Sequence, residues 1–219
     1  LIHVGFAMTS YGTAGNFIVT ILQAPLVAVS ASYVGSMVTS FFISIFWCFG
    51  LHGDLIVNAV ATPLQQAGLY ANIDAWRLGN EVTNIAVEGF QSLFLNVGGT
   101  GGTLGLAIVC AFFSKSKQLK LVGRLSLGPG LFNINEPIVF GLPIVMNPIL
   151  IVPYLFSPLI VATVTYFAMS LGLVNKIVAA VPWTTPVFFA GFLSTGGDWK
   201  AVVLQAVNFV IVVACYYPF

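Results

Sequence analysis

Apolar residues follow one another along this chain in long stretches instead of alternating with polar residues. The stretches at 26–47, 155–174 and 201–217 each have about the 20 residues that an α-helix needs to cross the hydrocarbon of a bilayer. A membrane β-barrel would instead show short segments of alternating polarity. The pattern therefore predicts an all-α, polytopic membrane protein built from spanning helices.

Two further regions are apolar but are broken by residues that disfavour a helix. Glycines interrupt 96–105, and prolines recur across 127–148 and beyond it, at Pro137, Pro143, Pro148, Pro153 and Pro158. Each proline lacks a backbone donor and is expected to block an ordinary helical turn. Irregular backbone is tolerated at membrane depth only where protein covers it or a cavity faces it. Polar side chains within such breaks are therefore candidates for a binding site.

Composition agrees with a membrane location. Charged residues make up 6% of the chain and hydrophobic residues 58%, whereas a soluble domain carries roughly 25% charged residues. The formal net charge of +1 gives no indication of a nucleic-acid partner. Three isolated cysteines, with no CxxC spacing, predict neither a metal site nor a disulfide framework; they are Cys48, Cys110 and Cys215. The glycines at 96–105 lack the lysine and the preceding strand of a phosphate-binding loop, which argues against a nucleotide site. No cofactor is expected.

The chain is expected to contain a connecting segment at 1–25 and a membrane transport domain at 26–219. The first segment is mildly polar, and His3 and Gln23 within it are expected to be surface groups. The opening LIHVGFAMTS has no initiator methionine and no basic region, which favours the middle of a longer protein over a signal peptide. At about 20 residues a span, the length allows roughly five or six crossings.

The most polar stretch, 63–84, is expected to lie outside the hydrocarbon. Asp74 and Arg77 are three residues apart in it, and Arg77 and Glu81 are four apart. A continuous helix would place both pairs on one face. We interpret this face as a solvated structural surface without a role in binding.

Positive charge is concentrated in a short segment at 114–124. Lys115, Lys117, Lys120 and Arg124 are four of the seven basic residues, and a short loop with most of the positive charge is expected to be cytoplasmic. Two limbs of about ten residues reach about 15 Å each, half the thickness of the hydrocarbon. The following segment, 127–147, is therefore predicted to dip in from the cytoplasm and return.

The predicted tip of that hairpin carries Glu136, a carboxylate among apolar residues and beside Asn133 and Asn135. An ionised group in such surroundings costs several kcal/mol unless it lines a water-filled cavity or meets a partner. Glu136 is therefore the leading candidate for a ligand-binding residue, and it is expected near mid-depth in the bilayer.

Two other breaks carry candidate side chains, each with two interpretations that the residues leave open. His52 lies between two glycines with Asp54 next in sequence. That break either directs the imidazole into a cavity or forms a surface loop with a solvated His–Asp pair. Trp183 and Thr184 lie between two prolines at 181–186. The tryptophan is either an interfacial anchor or a platform for a sugar ring.

Three motifs resemble those of one family: GLHG at 50–53, NINEPIVFGLPIVMNP at 133–148 and VPWTTP at 181–186. In this order they resemble the enzyme IIC component of the bacterial phosphoenolpyruvate-dependent sugar phosphotransferase system, in its lactose/cellobiose/diacetylchitobiose family. The resemblance covers essentially the whole chain, and the NEP run is its most specific part. It implies the C-terminal half of a homodimeric permease of the bacterial inner membrane, with spanning helices and two re-entrant hairpins.

The resemblance also implies a site and a partner. It assigns binding of the sugar's C6 hydroxyl to His52 and Glu136 and places Trp183 near the sugar. Three neighbours are weaker candidates for sugar contacts: Asn135, Trp47 and Thr184. The substrate would be a β-linked disaccharide, and the phosphoryl donor a cytoplasmic IIB protein that carries a phosphocysteine. Glu136 is expected to act as general base on the hydroxyl, which His52 orients.

Two other functions fit the same residues. An ion-coupled secondary sugar transporter would also use broken helices, an intramembrane carboxylate and a nearby histidine, here for proton coupling. A chain that holds only part of a permease would be inactive alone. Dependence of uptake on a phosphoryl donor, or on a proton gradient, distinguishes the phosphotransferase permease from the ion-coupled transporter.

Overall fold

A computed structural model describes residues 30–142 and 144–219. The segment predicted at 1–25, with His3 and Gln23, lies outside these residues, as does Pro143. The described part of the chain is helical and contains no β-strand. Its α-helices are α1 (Tyr33–Cys48), α2 (Gly53–Arg77), α3 (Thr103–Ile108), α4 (Lys117–Leu131), α5 (Glu136–Gly141), α6 (Pro148–Ser170), α7 (Phe189–Ser194) and α8 (Trp199–Tyr216). Two π-helical turns join them: π1 (Phe90–Leu95) and π2 (Val109–Phe113).

Two of the described helices, α6 and α8, are long and apolar enough to cross a membrane. Helix α8 matches the stretch predicted at 201–217, and α6 covers most of 155–174 but begins earlier. Helix α1 is the described part of the stretch predicted at 26–47. It is apolar but shorter, as is the run from α3 into π2.

The prolines of α6 do not break it. Pro148 occupies the first turn, where a missing donor costs nothing, and Asn147 caps that turn by accepting from two backbone N–H groups. Pro153 and Pro158 lie inside the helix, so the prediction that each blocks a helical turn is wrong for them. Both are buried, and packing of α6 against α1 and α8 outweighs the local cost of about 3 kcal/mol per proline.

The polar stretch at 63–84 is also largely helical, because α2 continues through Pro63 to Arg77. Glu81 lies beyond the end of α2, so the expected pairing of Arg77 with Glu81 on one helical face does not occur. Buried Asn72 instead anchors this end of the helix. Its side-chain nitrogen donates to the carbonyls of Asn84, at 2.8 Å, and Ile177, at 3.0 Å.

A first helical hairpin occupies 90–113 and is almost wholly buried. It consists of π1, the glycine-rich turn at 96–102, which we call its tip, and α3 followed by π2. The tip turns sharply because several of its glycines adopt positive φ angles. Asn208 and Gln205 of α8 donate to the carbonyls of Phe94 and Leu93, which ties the end of π1 to α8.

A second hairpin is formed by α4 and α5, joined by a turn at 132–135. A Cβ atom on Gly141 would lie 2.8 Å from a methyl group of Val122, so α5 folds back along α4. Three of the four basic residues at 115–124 belong to α4, so the expected short loop is reduced to 114–116. The membrane depth of the two hairpins, and hence their re-entrant character, stays a prediction.

Candidate functional site

Hydrogen bonds link the tip of the first hairpin to Asp54, which follows the GLHG motif, and to the NINEP motif, which in turn bonds the VPWTTP loop. Asp54 follows the GLHG motif, and its Oδ2 accepts from two side chains. Trp47 Nε1 donates at 2.8 Å, and Thr100 Oγ1 donates at 2.5 Å. Because Trp47 lies in the last turn of α1 and Thr100 lies in the hairpin tip, one carboxylate oxygen connects three elements of the fold.

The NINEP motif contacts the same tip. Asn135 Nδ2 donates to the carbonyl of Thr100 at 3.3 Å. Gly99 packs directly against Asn135, since a Cβ atom at position 99 would lie 2.5 Å from Asn135 Cβ. The chain of contacts therefore runs from Trp47 through Asp54 and Thr100 to Asn135, the residue before Glu136.

His52 caps the N-terminus of α2, directly after the break in which Gly50 has a φ of +78°. Its Nδ1 accepts from the backbone N–H of Leu55 at 3.4 Å, and its ring centroid lies 4.5 Å from that of Trp47. Asp54 bonds to Trp47 and Thr100 instead of to His52, so the expected His–Asp pairing is not seen, whereas an imidazole directed into a cavity stays a prediction. The imidazole is exposed, and because Nδ1 accepts from Leu55, Nε2 is the ring nitrogen that remains for a further bond.

Glu136 is the first residue of α5, where the positive end of the helix dipole favours a carboxylate. Phe140 is one turn further along, on the same face of α5, and its ring centroid lies 6.3 Å from that of Trp47. Phe140 thus brings α5 into contact with Trp47. The Glu136 side chain itself is exposed in the described part of the chain.

The VPWTTP loop is held by Asn133. The side-chain nitrogen of Asn133 donates to the carbonyls of Trp183, at 2.6 Å, and Thr185, at 3.2 Å. Its Oδ1 accepts from the backbone N–H of Gly98 at 3.0 Å. The Trp183 side chain is 55% exposed, and Thr184 is also exposed. One buried amide thus holds the loop, and the aromatic and hydroxyl side chains of the loop are exposed.

The structure brings Trp47, His52 and Asn135 together through these contacts. Phe140, one turn along α5 from Glu136, contacts Trp47, and Asn133 ties the Trp183 loop to the same tip. Three residues that hold the site were not expected from the sequence to do so: Asp54, Thr100 and Asn133. Each lies within or next to a motif or the glycine run at 96–105, and this position is the only feature of the sequence that indicates its role.

Residues 1–158 match the sequence profile of the family described as "Phosphotransferase system, EIIC". That match covers more than half of the chain. The chain belongs to the EIIC family. Members of this family are integral to the membrane, which agrees with the apolar composition.

The EIIC chain is similar to the "PTS system cellobiose-specific EIIC component" of Geobacillus stearothermophilus, with 42% identity over 215 residues covering 97% of this chain and 48% of the relative. It is 34% identical to the "PTS system lactose-specific EIICB component" of Lacticaseibacillus casei over 220 residues, which cover 100% of this chain and 38% of the relative.

The fold of the EIIC chain matches a crystal structure of the transporter ChbC, "the IIC component from the N,N'-diacetylchitobiose-specific phosphotransferase system". The TM-score is 0.96 at 40% identity, over 99% of this chain and 50% of ChbC. The chain thus spans about half the length of the EIIC proteins it resembles.

Proposed function

We propose that this chain is the transport half of a sugar permease of the phosphotransferase system. The intact permease would bind a β-linked disaccharide of the cellobiose, lactose or diacetylchitobiose type and move it inward. It would then present the sugar's 6-OH to a phosphocysteine on a IIB protein. The observation that carries this proposal is the bonded path from Trp47 through Asp54 and Thr100 to Asn135, because it joins the residues on either side of the GLHG motif to the NINEP motif.

The proposed roles follow from chemistry and exposure. Glu136 accepts a hydrogen bond from the 6-OH and removes its proton as phosphoryl transfer proceeds. His52 orients the same hydroxyl through Nε2. Trp183 stacks on a sugar ring, as an exposed aromatic group on a fixed loop can do. Asn135, Trp47 and Thr184 complete the lining of the site.

A cytoplasmic IIB protein is the proposed donor of the phosphoryl group. The "EIICB" relative supports such a partner for the present chain. The basic residues of 115–124 are proposed to face the cytoplasm, in a multi-pass arrangement within the bacterial inner membrane. The intact permease is proposed to be a homodimer. Phosphorylation adds about two negative charges, so the product would leave to the cytoplasm without returning.

Substitution of the two proposed hydroxyl ligands tests this function. Glu136→Gln and His52→Ala in the intact permease are expected to lower sugar phosphorylation by phospho-IIB by about 100-fold or more, the usual contribution of a general base. Binding of cellobiose, lactose and N,N'-diacetylchitobiose to the detergent-purified protein identifies the sugar class.

Glu81→Gln is the matched control, because Glu81 is an exposed glutamate beyond the end of α2. It should retain the wild-type rate. Wild-type rates for Glu136→Gln and His52→Ala would refute the proposed roles. Uptake that needs a proton gradient and no phosphoryl donor would establish the ion-coupled transporter instead.

A further inference from the structure

Asp54 is the one carboxylate of α2 placed among the three motifs, and the proposed chemistry makes no use of it. Its side chain is partly buried, and a single oxygen accepts both the Trp47 indole N–H and the Thr100 hydroxyl. Hydrogen bonds to an ionised acceptor are shorter and about twice as strong as those between neutral groups. Two such hydrogen bonds to one oxygen hold Asp54, Trp47 and Thr100 in a fixed arrangement.

We propose that Asp54 is a positioning residue that sets the separation between His52 and Glu136, and with it the recognition of the sugar 6-OH. This inference rests on the proposed function. His52 precedes Asp54 by two residues, at the start of α2. The backbone carbonyl of Thr100 accepts a hydrogen bond from the side chain of Asn135, and Asn135 precedes Glu136. The two proposed ligands of one hydroxyl are thus joined through a carboxylate that does not itself touch the sugar.

The hydroxyl of Thr100 joins two distant parts of the chain by a hydrogen bond. Thr100 donates its side chain to Asp54 and accepts from Asn135 on its backbone, so it connects α2 to the NINEP motif. Without the hydroxyl donor, the hairpin tip keeps its contact with Asn135 but loses its bond to α2. Thr100→Val should then act like Asp54→Ala, and Thr100→Ser should restore the wild-type behaviour.

The test compares a sugar with its 6-deoxy analogue in the same protein preparation. The probe is the tightest binder among cellobiose, lactose and N,N'-diacetylchitobiose, together with its analogue in which hydrogen replaces the 6-OH. A hydroxyl bonded to charged groups is worth about 10- to 100-fold in affinity, so wild-type protein should prefer the parent sugar by that ratio. The ratio does not depend on the fraction of protein that is folded.

Asp54→Ala and Thr100→Val are expected to reduce this preference to about threefold or less, mainly by lowering the affinity for the parent sugar. A purely structural role would weaken both sugars equally and leave the ratio unchanged. Asp74→Asn removes a carboxylate from the exposed far end of the same helix and should keep the wild-type ratio. If Asp54→Ala does not fold, Thr100→Val and Thr100→Ser decide the question.

The outcomes separate this inference from the function on which it rests. If the wild-type protein binds none of the sugars, or does not distinguish 6-OH from 6-deoxy sugar, the proposed function fails. If wild type discriminates and Glu136→Gln removes the discrimination, the proposed function stands. A full wild-type preference retained by Thr100→Val would then overturn the role of Asp54 alone.

Discussion

Gly99 lies where the tip of the first hairpin meets the NINEP motif, and Gly99→Ala tests whether this contact supports the site. The backbone of Gly99 has a φ of +100°, which a residue with a Cβ atom rarely adopts. An added Cβ would also lie 2.5 Å from Asn135 Cβ, 2.8 Å from its Cγ and 3.1 Å from the carbonyl oxygen of Asn133. The substitution therefore combines backbone strain with a steric overlap.

The magnitude follows from these two costs. An unfavourable positive φ costs about 1–2 kcal/mol, and overpacking a tight contact costs about 1–3 kcal/mol. Gly99→Ala should therefore lower the free energy of unfolding by about 2–5 kcal/mol in total. Relief of the overlap would move Asn135 away from Thr100, so sugar affinity should fall by about tenfold or more, through the misplacement of Glu136.

Gly79→Ala is the matched control for the backbone term. Gly79 has a φ of +71°, and a Cβ atom there would meet nothing within 4 Å, so only the strain of about 1 kcal/mol applies. Apparent melting of the intact permease in detergent, with equilibrium binding of the sugar, measures both effects. Equal melting temperatures and equal affinities for Gly99→Ala and Gly79→Ala would refute the expectation that the contact between the hairpin tip and Asn135 supports the site.

Two further substitutions test the scaffold around the site. A Cβ on Gly53 would overlap the backbone carbonyl of Ile43, so Gly53→Ala should force α1 and α2 apart and abolish the monodisperse size-exclusion peak. Gly128→Ala is the control, because a Cβ there would lie in open space, and it should keep the peak. An unchanged peak for Gly53→Ala would contradict this prediction. Gln205 is 1% exposed and bonds two buried backbone groups. Gln205→Ala should therefore lower the free energy of unfolding by about 2–6 kcal/mol. A melting temperature equal to that of the wild-type protein would refute this prediction.

The positions of the longest helices could be predicted from hydrophobicity alone. The apolar stretch at 201–217 corresponds to α8, because it contains neither glycine nor proline and Asp198 caps the start of the helix. For α6, the prediction that its internal prolines block a helical turn is wrong. A proline costs about 3 kcal/mol in an isolated helix, but Pro153 and Pro158 are buried, and packing against neighbouring helices supplies stability that a local rule does not count.

The candidate site was only partly predictable, for a physical reason. His52, Glu136 and Trp183 stand out because they are polar or aromatic groups within breaks of an apolar sequence. Asp54 and Thr100 are 46 positions apart, and Thr100 and Asn135 are 35 apart. Such bonds depend on how the hairpin packs against α2, which no local pattern specifies. The turn of the first hairpin could be expected from its glycines, but its bonding partners could not.

Exposure divides the residues of the site into two groups, and this division supports the proposed mechanism. The side chains assigned to the sugar, namely His52, Glu136 and Trp183, are exposed. The side chains that hold them are mostly buried, with Asn133 8% and Thr100 5% exposed. A transfer site needs reactive groups open to substrate and partner, together with a rigid arrangement that fixes their separation. Because the fixed groups bond to backbone as well as to side chains, a polar ligand can exchange at the exposed groups without disturbing them.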